Sequence, residues 1–113
     1  NNVAPNLADR GGKLDEELKH AQIAKEAAPE DPSVADTLGW VYYKKGLIDS
    51  ALPLIADSAG KAKNNPSIRY HHGMVLAKKG KNKEAAAELK AALALDPKFP
   101  GAEEAKKTLA GLK

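Results

Sequence analysis

Residues 32–46 read PSVADTLGWVYYKKG, and residues 66–80, 34 positions further on, read PSIRYHHGMVLAKKG. Both stretches open on Pro-Ser and close on Lys-Lys-Gly. Proline is tolerated in the first turn of a helix, where its N–H would be unsatisfied anyway, and glycine is favoured just past the last turn. Between these ends, Val34, Leu38, Val41 and Tyr42 follow one another at helical spacing, and the second stretch carries Met74, Val75 and Leu76. Each is read as one helix, from Ser33 to Lys45 and from Ser67 to Lys79.

The same 34-residue offset aligns Pro32, Pro66 and Pro100, and also Gly12, Gly46 and Gly80. It further aligns Gly39 with Gly73, Ala51 with Ala85, Leu14 with Ile48 and Asp15 with Asp49. Independent landmarks at one period mark an internal repeat. The second helix of each unit is expected from Ile48 to Lys63 and from Asn82 to Leu95, with Ala51, Leu52, Ile55 and Ala59, then Ala85, Leu89 and Ala92, on one side. The small residues Gly39 and Ala51, like Gly73 and Ala85, let the paired helices approach closely. An earlier helix is expected from Leu14 to Ala28, and a last one from Gly101 to Leu112. Breaks are expected near Gly12, Pro32, Gly46, Pro66, Gly80 and Pro97 to Pro100. Pro5 should interrupt the first segment and leave residues 1–8 the least ordered. Pro53 should kink or loosen its helix, which has no closing proline and is free to run on through Gly60 toward Asn64.

Composition agrees and excludes much else. Of 113 residues, 42% are hydrophobic, yet 21 are Ala and only five are aromatic, which suits close-packed helices better than a β-sandwich. The length is that of one domain. There is no Cys for disulfide or thiolate chemistry. No apolar run is long enough for a membrane span. The first residue is not Met, so the chain is expected to be a segment of a longer protein, and its compartment stays open between cytoplasm and bacterial envelope. Residues 1–62 carry 7 basic and 10 acidic groups, net −3, whereas residues 63–113 carry 11 and 5, net +6. With Arg69 the only Arg in that half, the Lys excess reads as a solvated face, and no specific nucleic-acid binding is expected.

No catalytic constellation is visible. The three His are His20, His71 and His72, and the consecutive pair points about 100° apart on a helix, too divergent to hold one ion. Gly11-Gly12 and the Lys-Lys-Gly sites punctuate helices and form no phosphate loop. No enzyme activity, metal or cofactor is expected.

The helix–turn–helix period of 34 resembles the tetratricopeptide repeat. The second unit supplies Ala35, Leu38, Gly39, Tyr42, Ala51, Ile55, Ser58 and Lys63 at the positions that define that family, and the third supplies Arg69, His72, Gly73, Leu76, Ala85, Leu89, Ala92 and Pro97. Arg69 and His72 depart from it, standing where apolar residues are usual. The resemblance implies an all-α, right-handed α-solenoid with a truncated first repeat (1–31), a second (32–65), a third (66–99) and a C-terminal capping helix (100–113). Asn1-Asn2-Val3-Ala4, Leu14-Asp15-Glu16 and Thr37-Leu38-Gly39-Trp40-Val41-Tyr42-Tyr43 also resemble the C-terminal repeats of bacterial tetratricopeptide lipoproteins of exopolysaccharide export and protein sorting.

In that family the first helices line a concave groove. The ligand-facing positions implied here are Asn6, Asp36, Thr37, Trp40, Tyr43, Lys44, Tyr70, His71, Met74 and Lys78. Tyr and Trp offer large contact area with few rotors to freeze, so Tyr43 and Tyr70 are expected to contribute to binding without holding up the fold; the opposing expectation is that Trp40 and Tyr70 complete the core between neighbouring first helices. Lys44 and Lys78, at the rim, are expected to hold an acidic side chain or a backbone carbonyl. The subtype that clamps C-terminal carboxylates is missing: Asn6 fits it, but Asn2, Thr37, Ser67 and His71 stand where Lys, Asn, Lys and Arg are needed. A peptide of apolar or aromatic character is the expected partner. Self-association through an exposed terminal unit is the alternative.

Overall fold

The computed structural model describes residues 3–112, with side chains from Lys13 onward. Its elements are α1 (Val3–Ala27), α2 (Pro32–Lys44), α3 (Ile48–Lys61), α4 (Pro66–Lys78), α5 (Asn82–Leu95) and α6 (Ala102–Gly111), with no strand among the described residues. None of these helices is long and apolar enough to cross a membrane.

Local chemistry sets the boundaries. Asp31 caps α2 by accepting from the amides of Ser33 at 2.8 Å and Val34 at 3.4 Å, and Asn65 caps α4 by accepting from Ile68 N at 3.1 Å. Proline follows each cap in the first turn. At the far ends Gly46 and Gly80 take φ of +84° and +89°, a left-handed conformation that side chains resist. The next amide then turns back, Leu47 N to Tyr42 O and Lys81 N to Leu76 O, each at 2.9 Å, which satisfies carbonyls the helix leaves open.

The helices stack as hairpins. α2 packs on α3 and α4 on α5; α1 packs on α2, α3 on α4 and α5 on α6, while α2 touches α4 and α4 touches α6. α2, α4 and α6 thus form one row. The close approach predicted for the glycines is there: a Cβ on Gly39 would lie 2.5 Å from Ile55 Cγ1, and one on Gly73 would lie 2.8 Å from Leu89 Cγ. Ile55, Val75, Leu89, Ala51 and Ala85 form the fully buried centre of this packing. An ion pair also recurs with the repeat: Lys45, just after α2, meets Asp15 of α1, and Lys79, just after α4, meets Asp49 of α3.

Three expectations need correction. The break near Gly12 is absent, because α1 is one helix through Pro5, Gly11 and Gly12 and begins well before Leu14. Pro5 lies in its first turn and costs no intrahelical bond, while each Gly costs about 1 kcal/mol relative to Ala, which does not by itself end a helix. Residues 1 and 2, and the side chains before Lys13, lie outside the described residues, and with them the expectation of least order over residues 1–8. α3 passes Gly60 but stops at Lys61, short of Asn64, where Asn65 N turns back to Ala62 O. Pro53 sits inside α3 without ending it, on an exposed face where the carbonyl it leaves free can meet water.

Candidate functional site

Of the residues expected to face a ligand, Asn6 lies on α1 and the others on α2 and α4, where the structure brings most of them together. Trp40 is sandwiched between Tyr43, with ring centroids 4.4 Å apart and planes 8° apart, and His71 of α4, 4.0 Å away. Tyr70 tilts against Trp40 at 5.9 Å and meets Phe99 edge-on at 5.4 Å. Tyr43, Trp40 and His71 therefore form a stack across α2 and α4, and Tyr70 extends the contact to Phe99.

Much of that stack is structural. Met74 is 9% exposed, packs with Leu89, Ala92, Phe99, Ala102 and Ala105, and belongs to the core on the side of the C-terminal cap. Tyr70 lies on Gly101 so closely that a Cβ there would sit 2.6 Å from its ring. Truncating Tyr70 removes packing between α4 and the C-terminal cap, contrary to the expectation that it leaves the fold untouched. Burial, and secondarily the Glu104 carboxylate, raises the pKa of both Tyr43 and Tyr70, which keeps the two hydroxyls protonated well past neutrality.

Charged positions divide likewise. Asp36 is buried, 7% exposed, and both its oxygens lie 2.9 Å from His71 Nδ1, which ties α2 to α4. Lys44, at the end of α2, donates from its Nζ to Glu17 of α1 at 3.2 Å in an exposed ion pair. Lys78 is exposed at the end of α4 and makes no ion pair among the described residues. The side chain of Asn6 lies outside them.

One cavity opens beside this row, between α1 and α2, with His71 of α4 at its edge; its volume is about 510 Å³. Ala21 and Ala24 of α1 and Trp40 and Val41 of α2 give it apolar walls, while Lys13, Glu16, Glu17 and His20 from α1 and Asp36, Thr37 and Lys44 from α2 supply the polar groups. Thr37 is exposed and its hydroxyl donates to Ser33 O at 2.9 Å, so it borders the cavity without bearing on the core. The sequence pointed to the α2 side of this cavity. It did not point to the α1 side, because Leu14 to Ala28 reads as the second helix of its unit, and the resemblance places the groove on first helices alone.

A second polar cluster was also missed. Arg69 Nη1 donates to Glu88 Oε2 of α5 at 3.1 Å, and His72 Nδ1 lies 3.3 Å from Glu88 Oε1, neither atom having another partner. The His72 ring, with Arg69 beyond it, holds the Glu88 carboxyl below the usual carboxylate range against the opposing effect of burial. This explains why two polar residues stand at positions of α4 that should be apolar. The usable signal was that Arg69 and His72 are one turn apart and so demand one acid from the facing helix.

No family model matches the sequence, and no curated protein matches it. Solved structures do. The chain is similar to the Yersinia enterocolitica type III secretion chaperone SycD in complex with a peptide of the translocator YopD, with a TM-score of 0.73 and 21% identity over 96% of this chain and 86% of that one. It is similar to the Arabidopsis OM64 TPR domain, with a TM-score of 0.75 and 20% identity over 93% and 87%. MamA from AMB-1 gives a TM-score of 0.71 and 27% identity over 89% of this chain, which spans only 54% of MamA.

Proposed function

The chain has the tetratricopeptide-repeat fold, and from that premise we propose that it is a non-catalytic protein-binding module that seats a peptide or protein segment in the cavity between α1 and α2. The observation that carries this reading is the cavity itself: about 510 Å³, with apolar walls and charged groups around them, beside the row of first helices. Apolar walls with a few convergent polar groups are the usual character of a binding site. SycD, similar in fold, is seen with a peptide of its translocator, which supports the same use of the fold here.

The stack of Trp40, Tyr43 and His71 acts in this reading as a rigid wall. Because Trp40 is already held on both faces, little side-chain freedom remains for a partner to freeze. The binding contribution falls to Thr37, Trp40 and Val41 from α2 and to Ala21 and Ala24 from α1.

Thr37→Trp tests this. The substitution places a large ring in the cavity from an exposed position that supports no core contact. Used as bait with the full-length protein, the wild-type module should capture its partner and Thr37→Trp should not, with the melting temperature of the two unchanged. Capture undiminished by Thr37→Trp contradicts the assignment of this cavity.

A further inference from the structure

The chemistry of the cavity specifies the kind of segment it takes, an inference that rests on the module reading above. Three carboxylates (Glu16, Glu17 and Asp36) and two ammonium groups (Lys13 and Lys44) border it. Lys44 is bound to Glu17 at 3.2 Å, and the other lysine expected at the rim, Lys78, does not reach this cavity. Thr37 spends its hydroxyl proton on Ser33 O. Lys44 and Thr37 are thus already committed, while Lys13 and His20 make no hydrogen bond or ion pair among the described residues.

Of the carboxylates, Glu17 is held by Lys44, while Glu16 and Asp36 keep open acceptor positions. Asp36 is more than nine-tenths buried, and a carboxylate has about four acceptor positions on its two oxygens. Among the described residues its one side-chain donor is His71 Nδ1. A buried carboxylate short of donors favours any partner group that brings one, and a cation most of all. Glu16 is exposed at the rim and makes no ion pair among the described residues. The surrounding half of the chain, residues 1–62, carries a net charge of −3, so the longer-range field has the same sign.

We propose that the cavity takes a segment of a partner protein in which an apolar side chain is followed by Lys or Arg. The apolar group rests on Ala21, Ala24, Trp40 and Val41, and the cation donates to Asp36, with Glu16 closing on it from the rim. This reverses the sign of partner expected from Lys44 and Lys78.

Three short synthetic peptides test the assignment, each with one central Leu, flanked by Lys, by Asp or by Ser. Titrated into the full chain at low salt and followed by Trp40 fluorescence, the Lys-flanked peptide should bind at least about tenfold more tightly than the Asp-flanked one. Asp36→Asn should narrow that gap; Glu16→Lys, at an exposed position that cannot threaten folding, should narrow it too. If the peptides bind but the Asp-flanked one matches or exceeds the Lys-flanked one, this inference is overturned and the module reading stands. If none binds, both fall. Sedimentation run in parallel identifies a second copy as the occupant if the chain self-associates and the peptides dissolve that association, which would also overturn the proposal.

Discussion

Gly73 and Gly60 both lie inside helices, yet they make opposite demands on their surroundings. A Cβ at Gly73 would press on Leu89, which is fully buried, whereas a Cβ at Gly60 meets nothing within 4 Å. Replacing a helical Gly with Ala stabilises by up to about 1 kcal/mol, while overpacking a core costs about 1–3 kcal/mol. Gly73→Ala should therefore lower stability by roughly 1–2 kcal/mol and Gly60→Ala should raise it slightly, both read from urea denaturation midpoints. The sequence distinguished these glycines correctly, since Gly73 has a repeat partner in Gly39 and Gly60 has none. It did not distinguish Met74 from its neighbours on the row of first helices. Every residue of a helix face looks alike in a one-dimensional pattern; what buries Met74 is the return of Phe99 and Ala102 from the C-terminal cap.

Between elements, polar contacts fix which helix faces which. Asp36–His71 joins α2 to α4, and Arg69–Glu88–His72 joins α4 to α5. Glu88 supplies a pH dependence with a definite sign. Its folded-state pKa lies below the ordinary value of 4.5, so the stability it contributes is fully present above about pH 4.5 and is lost as pH falls through the folded value. Thermal unfolding followed by circular dichroism should show an acid limb in that window, and Glu88→Gln should flatten it. The same variant should lose about 1–3 kcal/mol at neutral pH, since Arg69 and His72 remain behind without their acid. An acid limb unchanged in Glu88→Gln would show that the cluster contributes nothing to folding. The extents of α2, α4 and α5 were legible to within a residue, because caps and glycines act locally. The extent of α1 was not: Gly12 matches Gly46 and Gly80 in sequence, but a left-handed turn forms only where the next helix has somewhere to pack.

Over the whole molecule, three features follow from one period. Gly at the close approach of each hairpin, Gly with positive φ after each first helix, and the Lys–Asp pairs Lys45–Asp15 and Lys79–Asp49 all recur with the repeat. A repeat array gains its stability from such neighbour contacts, and the row of first helices then presents a continuous surface. On that surface the aromatic rings are packed against one another, and in the proposed reading the cavity between α1 and α2, which Trp40 borders, takes the partner. The most direct test of that division is an amide and indole chemical-shift map of the full chain on addition of the Lys-flanked Leu peptide. The account predicts that the largest changes fall on Ala21, Ala24, Thr37 and Val41 and on the Trp40 indole, while the α3 and α5 residues stay unmoved. Shifts centred on α3 or α5, with the α1–α2 cavity silent, would contradict it.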